Sequence, residues 1–338
     1  MKHKTNYSVA ILVLFFFGCF IMLNTVHSQS ESKKNSTKFK VAAAQLTPVY
    51  MDREKSLEKA CKAIIEAGKN GAKLVVFPEA FIPGYPEWVW HTMPSDWEQN
   101  SEMYVKLVNN AVAIPSPTTN KLCEAARQAN INVVIGIDEL NTESSNATIY
   151  NTILFISDKG VLLGKHRKLV PTGAEKMVWA RGDANTLQTY NTSVGKLSGL
   201  ICYENKMPLA RMALYNLGTQ IMASPTADDT DSWLATVRSN ASEGGMYVIN
   251  VCSPGNRDWI PDTYEFKKNM PKDWSKKGNS CIIGPGGHIW KGPVENKETI
   301  IYCDILIKNI IEGKRMFDVA GNYSRPDVFK FSVKEDEK

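Results

Sequence analysis

Short apolar strand-like runs and helix-spaced segments alternate over residues 39–331 with no linker-like break between them. That alternation constrains the fold more than any other feature, because strands separated by helical crossovers build a sheet covered by helices. The first unit sets the pattern. Phe39-Lys-Val-Ala-Ala-Ala-Gln45 reads as a short buried strand. Asp52, a good N-cap, opens a helix in which Leu57, Ala60, Cys61, Ile64 and Ile65 recur at helical spacing up to Gly68. Lys73-Leu-Val-Val-Phe77 is a second strand, stopped by Pro78, which has no N–H for a central ladder. A chain of 338 residues, 43% hydrophobic, can fill one large core or two ordinary ones. With no linker, the reading is a single α/β domain over 39–331.

The rest of the chain follows suit. Helices are predicted over 102–112, 118–129, from Pro208 to about Leu217, and over 232–244. Strands are predicted over 131–136, 220–224, 246–251, 280–284, 288–290 and 299–305. A hairpin of 148–157 and 161–168 turns about Asp158-Lys159-Gly160. Residues 257–277 are charged, carry Trp259 and Trp274, and read as a surface excursion; 332–338 read as a charged tail.

Lys2-His3-Lys4 precedes an apolar run over 9–23, and Asn24-Thr-Val-His-Ser28 follows it. This is the pattern of a signal peptide, here 1–28, and the run is short for a membrane span. Export is the expectation, with a retained anchor as the alternative. Residues 29–38 carry no apolar side chain and read as a solvated linker. The formal net charge of +5 is small and dispersed, so nucleic acid is not an expected partner. Beyond Cys19, six cysteines remain without a C-x-x-C or zinc-type Cys/His pattern, and most fall in apolar periodic segments as reduced core residues. Asn35, Asn146, Asn191, Asn240 and Asn322 head N-x-S/T triplets, acceptors only in a host that glycosylates.

Three residues stand where chemistry could be done. In Lys196-Leu-Ser-Gly-Leu-Ile-Cys-Tyr-Glu-Asn-Lys-Met-Pro208 an apolar strand delivers Cys202 to a polar turn before a helix restarts. A thiol at such a junction is held rigidly yet reachable, and the N–H groups after it can face developing negative charge. The other reading is a small buried core residue. Glu79 follows Pro78 into an aromatic, Pro-rich loop, as a partly desolvated general base or as a solvated loop carboxylate. Lys168 ends its strand on the face of His166 and opposite Arg167, as a site cation or as an exposed strand-end lysine. His166 itself reads as a structural hydrogen-bonder. A free thiol has a pKa of about 8.5, so Cys202 needs a base or a cation nearby. His91, His166 and His288 have no supporting acidic motif, and G-x-S-x-G, Walker, H-E-x-x-H and helix-opening G-x-G-x-x-G patterns are missing.

Phe77-Pro-Glu-Ala-Phe-Ile-Pro-Gly-Tyr-Pro86 with Trp88, His166-Arg-Lys-Leu169 with Pro171-Thr172, and Gly199-Leu-Ile-Cys-Tyr-Glu-Asn205 closely resemble the nitrilases of the carbon–nitrogen hydrolase superfamily. Met207-Pro-Leu-Ala-Arg-Met-Ala-Leu214, Pro225-Thr-Ala-Asp228 and Ser324-Arg-Pro-Asp-Val-Phe329 add to the resemblance, which covers about 39–331. It implies a four-layer α-β-β-α sandwich with Glu79 as general base, Lys168 as the cation at the tetrahedral intermediate and Cys202 as nucleophile. Glu175 falls where the family carries a second, supporting glutamate. The resemblance also implies a small-molecule nitrile as substrate, no metal or cofactor, and a homo-oligomer, either a dimer or a larger spiral. Many nitrilases carry Trp after the cysteine; Tyr203 stands here, expected to line or back the site, and it leaves aromatic against aliphatic preference open. Rival readings are an amidase or cyanide-processing enzyme on the same scaffold, a secreted biotinidase-like amide hydrolase, and a catalytically dead binding protein.

Overall fold

Alternation along β1 (Lys38–Gln45) sets the layering. Val41 and Ala43 enter one core cluster, while Ala42 and Ala44, on the other face of the pleat, enter another. A strand buried on both faces has to be covered twice, by different layers. The computed structural model describes residues 38–334; the leader-like segment 1–28, the linker through residue 37 and residues 335–338 of the charged tail lie outside the described residues.

Strand β1 joins β2 (Ala72–Val76), β3 (Asn132–Leu140), β4 (Ile149–Ile156), β5 (Leu162–Arg167) and β14 (Thr299–Leu306) in a six-stranded sheet of order β14-β1-β2-β3-β4-β5. A second six-stranded sheet holds β6 (Tyr190–Thr192), β7 (Gly195–Gly199), β8 (Ile221–Thr226), β9 (Tyr247–Cys252), β12 (Gly278–Ile283) and β13 (Ile289–Glu295), in the order β13-β12-β9-β8-β7-β6. Strands β10 (Gly255–Asn256) and β11 (Ser275–Lys276) form a short ribbon apart from both. In each sheet the central strands run parallel, β1-β2-β3 and β7-β8-β9, and the flanking strands run antiparallel.

Helices cover the outer faces. Leu57 and Ile64 of α1 (Arg53–Lys69) and Leu122 and Ala126 of α3 (Pro117–Ala129) pack on Ala42, Val75 and Val133 of the first sheet; α2 (Trp97–Asn110) lies between α1 and α3 in the chain. Leu214 of α4 (Pro208–Asn216) and Val237 and Ala241 of α5 (Asp231–Gly244) pack on Met222 and Val248 of the second sheet. Val41, Val76, Ile153 and Phe155 meet Leu197, Ile221 and Ile249 between the sheets. The layers are α-β-β-α, as expected. Local chemistry fixes the helix ends: the Asp52 carboxylate accepts from Lys55 N at 3.0 Å, and Asn130 closes α3 in the left-handed region at φ 50°.

Where elements differ from expectation, tertiary contacts explain it. Helix α2 begins at Trp97 rather than 102, because its first turn is exposed and its apolar face starts only at Met103. It stops at Asn110, since Val112 leaves to bond Asp138 and Leu140. Strand β3 runs on to Leu140 because Asp138 and Glu139 are buried on paired backbone, a pattern that reads as polar loop. Strand β6 and α6 (Lys308–Lys314) carried no periodic signal long enough to predict. The 257–277 stretch is not a surface excursion. Its Ile260, Tyr264, Phe266 and Met270 are buried against Tyr50, Trp88 and Val89, while charged neighbours such as Lys268 and Glu265 face solvent. Cys61, Cys123, Cys202, Cys252, Cys281 and Cys303 are all free thiols. Of the glycosylation triplets, Asn240 is buried and donates to Asn205 O at 2.9 Å, so it is no acceptor.

Candidate active site

Strand β2 ends at Val76, and past Phe77 and Pro78 the chain passes directly over β3. Ile82 N donates to Gly136 O at 3.2 Å, and Asp138 N donates back to Ile82 O at 2.8 Å. The crossing is possible because residue 136 is glycine: a Cβ there would lie 2.4 Å from Pro78 O and 2.5 Å from Ala80 N. This close passage turns Glu79 inward, where it is 3% exposed. Its Oε1 accepts from Lys168 Nζ at 2.8 Å and from Asn151 Nδ2 at 2.7 Å. Its Oε2 is buried and has no hydrogen-bond partner among the described residues.

Lys168 is the residue after β5 and is 1% exposed, so the exposed strand-end reading fails. Its ammonium also donates to Glu175 Oε2 at 2.7 Å and sits 5.6 Å from the centre of the Trp179 ring. Glu175 is held in turn: Thr172 N donates to Oε2 at 2.6 Å, and the Tyr85 hydroxyl donates to Oε1 at 2.8 Å. Arg167 goes the other way, to Glu139 at 3.0 and 2.5 Å.

Cys202 comes from the other sheet. The chain leaves β7 through Leu200 and Ile201 and turns at Cys202, whose φ of 49° is left-handed. A side chain in that region is strained and persists only where its surroundings hold it. Here Asn205 Nδ2 donates to Leu200 O at 2.8 Å and to Cys202 O at 3.0 Å. Glu204 accepts from Ile201 N at 2.8 Å and from Leu169 N at 2.6 Å, while His166 Nε2 lies 3.1 Å from both of its oxygens. One buried carboxylate thus ties the cysteine turn to the residue after Lys168. His166 is a structural hydrogen-bonder, as read. The Thr226 hydroxyl donates to Cys202 Sγ at 3.2 Å.

Cys202 and Glu175 open into a cavity of about 490 Å3, and Tyr203, Glu87 and Lys276 share its wall. Tyr203 is 40% exposed, with Lys206 Nζ 3.9 Å from its ring centre. The five residues singled out in the sequence therefore gather in one place. Sequence reasoning missed Asn151, Thr226, Tyr85 and Glu204. Tyr85, Glu204 and Thr226 fall within the quoted motifs, but nothing in their spacing marks them as partners of Glu175, the cysteine turn and the thiol; Asn151 gave no signal.

A family model described as carbon-nitrogen hydrolase matches residues 40–315. The chain belongs to the carbon–nitrogen hydrolase family. This hydrolase is 38% identical over 314 residues to Nitrilase 2 of Arabidopsis thaliana, covering 90% of this chain and 91% of that protein. It is 38% identical over 305 residues to an aliphatic nitrilase of Sinorhizobium fredii, covering 89% and 97%. Among solved structures, Saccharomyces cerevisiae Nit3, a member of branch 10 of the nitrilase superfamily, superposes with a TM-score of 0.66 at 25% identity, covering 85% of this chain and 96% of that one.

The charges of the hydrolase site oppose one another. Burial pushes the Cys202 thiol up to about 12; Glu79 and Glu175 add to the rise, whereas Lys168 and the Thr226 hydroxyl pull it down. Burial also raises the Glu79 carboxyl above the usual glutamate value, against the pull of Lys168. Burial works against the Lys168 charge too, yet Glu79, Cys202 and Glu175 together outweigh it and hold the ammonium above its ordinary value. The arrangement thus brings together a thiol held in its neutral form, a carboxylate with heightened proton affinity and a lysine held in its charged form.

Proposed function

We propose that this hydrolase converts a nitrile and two waters to a carboxylic acid and ammonia, with Cys202 as nucleophile, Glu79 as general base and Lys168 as the stabilising cation. The observation that carries the reading is the buried Glu79–Lys168–Glu175 relay, with contacts of 2.8 and 2.7 Å, beside the Cys202 cavity. The relatives named as nitrilases support the nitrile. Cys202 Sγ bonds to the nitrile carbon while its proton passes through Glu79 to the nitrile nitrogen, giving a thioimidate. Glu79 then takes a proton from water, which adds to the same carbon and forms a tetrahedral intermediate. Protonated again, the nitrogen leaves as ammonia, and an acyl-thioester remains. A second water, activated in the same way, releases the acid and returns the proton to sulfur. Lys168 and the Tyr203 backbone N–H face the negative charge of each intermediate, and losing one such group costs about 10²–10³ in rate.

Cys202→Ala is expected to release no ammonia from any nitrile while keeping its circular dichroism, and iodoacetamide to inactivate the native enzyme by labelling Cys202. Residual turnover in the alanine variant would overturn the mechanism. If the thiolate leaves the first tetrahedral intermediate before ammonia does, an amide results, so matched nitrile and amide kinetics separate this reading from an amidase: a higher kcat/KM for the amide would favour the latter.

Two coarser readings accompany it. The 2–28 pattern supports export as a cleaved, extracytoplasmic enzyme, and an intact mass that retains residues 1–23 would mean an anchor instead. Family resemblance supports a homo-oligomer, which light scattering at the mass of a single chain would exclude.

A further inference from the structure

The cavity at Cys202 carries a second buried ion pair that the relay does not use. Lys276, at the end of the β10–β11 ribbon, bonds the carboxylate of Glu87 on the loop after Glu79. The Glu87 side chain is 3% and that of Lys276 15% exposed, and both line the cavity. Neither touches Glu79, Lys168 or Cys202 by hydrogen bond among the described residues. The Lys276 ammonium stands 4.6 Å from the centre of the Tyr85 ring and 5.7 Å from that of Trp274. Beside it His91, on the same wall, keeps a buried Nε2 with no hydrogen-bond partner among the described residues. A wall that had only to be closed would hold apolar side chains of the same volume at least as well, because burying an ion pair carries a desolvation cost that its attraction barely returns.

We propose that Lys276, Glu87 and His91 form the recognition surface for the part of the substrate beyond the nitrile, and that it selects uncharged nitriles bearing a hydrogen-bond acceptor near the cyano group. The inference rests on the nitrile reading above. An ammonium has three protons to give, and Glu87 takes one direction only, which leaves donors for an ether, hydroxyl or carbonyl oxygen. An anion is disfavoured. Both lysines of the site are already paired, and Asp228 and Asp229 stand on the same cavity wall as Glu87 and Glu175. A hydrocarbon chain would cover Lys276 and return nothing for its lost contacts. Packing of the 257–277 stretch brings Trp274 and Lys276 to the cavity.

Methoxyacetonitrile and butyronitrile have nearly the same shape and differ by an oxygen, and cyanoacetate supplies the anion. Wild-type kcat/KM is expected to favour methoxyacetonitrile at least about tenfold over both. The double variant Glu87→Leu/Lys276→Met, which removes both charges together, is expected to lose the preference, the ratio of kcat/KM for methoxyacetonitrile to that for butyronitrile falling to near one. Should that variant not fold, Glu87→Gln/Lys276→Met serves the same purpose. A wild-type ratio near one, or a ratio unchanged in a folded double variant, would overturn the proposal and mark the pair as a structural tie. If only the corresponding amides, methoxyacetamide and butyramide, are hydrolysed, the same ratio read on them decides the subsite while the nitrile reading fails. Hydrolysis of none of these compounds by an enzyme that turns over other nitriles would overturn the subsite alone, and hydrolysis of no nitrile at all would overturn the functional reading with it.

Discussion

Glu79 illustrates how burial, rather than residue type, makes a catalytic carboxylate. Its carboxyl lies above the ordinary glutamate pKa of about 4.3, because desolvation outweighs the adjacent Lys168. A base works only when ionised, so kcat/KM is expected to fall with decreasing pH through an acid limb above that ordinary value. A pH profile checks this, and a limb at or below 4.3 would count against Glu79 as the base (about one proton, from the reference value). Lys168 is held charged above its usual range, so it should contribute no alkaline limb near neutrality. Glu204 poses a different test, since it positions the site without touching substrate. Glu204→Ala frees Ile201 N and Leu169 N, letting both the cysteine turn and the lysine shift. A displacement near 1 Å costs about 10² in rate, so kcat should drop by roughly that factor with KM little changed. Slower iodoacetamide labelling of Cys202 would accompany it; an unchanged kcat would remove the positioning role. Strand ends drew attention to 79, 168 and 202 but left each open between a site role and a structural one, and it was the resemblance to the nitrilases that assigned their roles. Their partners Asn151 and Thr226 were not legible, because a contact made across the fold leaves no mark on local spacing.

Elements with polar residues at buried positions were the hardest to read. Strand β3 is the example: its second half carries Asp138 and Glu139, which look like loop and are paired with Trp179 Nε1 at 2.6 Å and with Arg167. Glu139 sits below its usual pKa because, although burial opposes ionisation, Arg167 and Lys165 more than compensate. Its contribution to stability is therefore full above the unfolded-state pKa and lost as pH falls through the lower folded value. Apolar strands such as β8 and β9 were read nearly to the residue, since burial and hydrophobicity coincide there. The element also carries Gly136, whose missing side chain admits the Glu79 loop. Gly136→Ala should destabilise the protein by roughly 1–3 kcal/mol through overpacking, and lower kcat beyond what the unfolded fraction explains. Thermal melts alongside kinetics on the folded fraction measure both, and a normal kcat would mean that the loop yields without moving Glu79.

At the scale of the molecule, strand–helix alternation announced an α/β domain but not its division into two sheets. Strands β13 and β14 are neighbours in sequence and belong to opposite sheets, which no local signal encodes. That division matters because Glu79, Asn151 and Lys168 hang from the first sheet while Cys202 and Thr226 hang from the second. Ile153 of β4 reaches so near Gly199 of β7 that a Cβ on the glycine would come within 2.7 Å of its Cδ1. Ile153→Ala should cost about 2–5 kcal/mol of stability and, though it touches no reacting group, should also lower kcat on the folded fraction. Unaltered kcat would show that the seam holds its alignment without this contact. Nucleophile and base are like the two halves of a vernier, each engraved on its own scale. Turnover then reads out the sliding of one sheet over the other, so pressure, solvent or a remote core substitution that slips the seam by a fraction of an ångström should silence the enzyme while its spectra still look native.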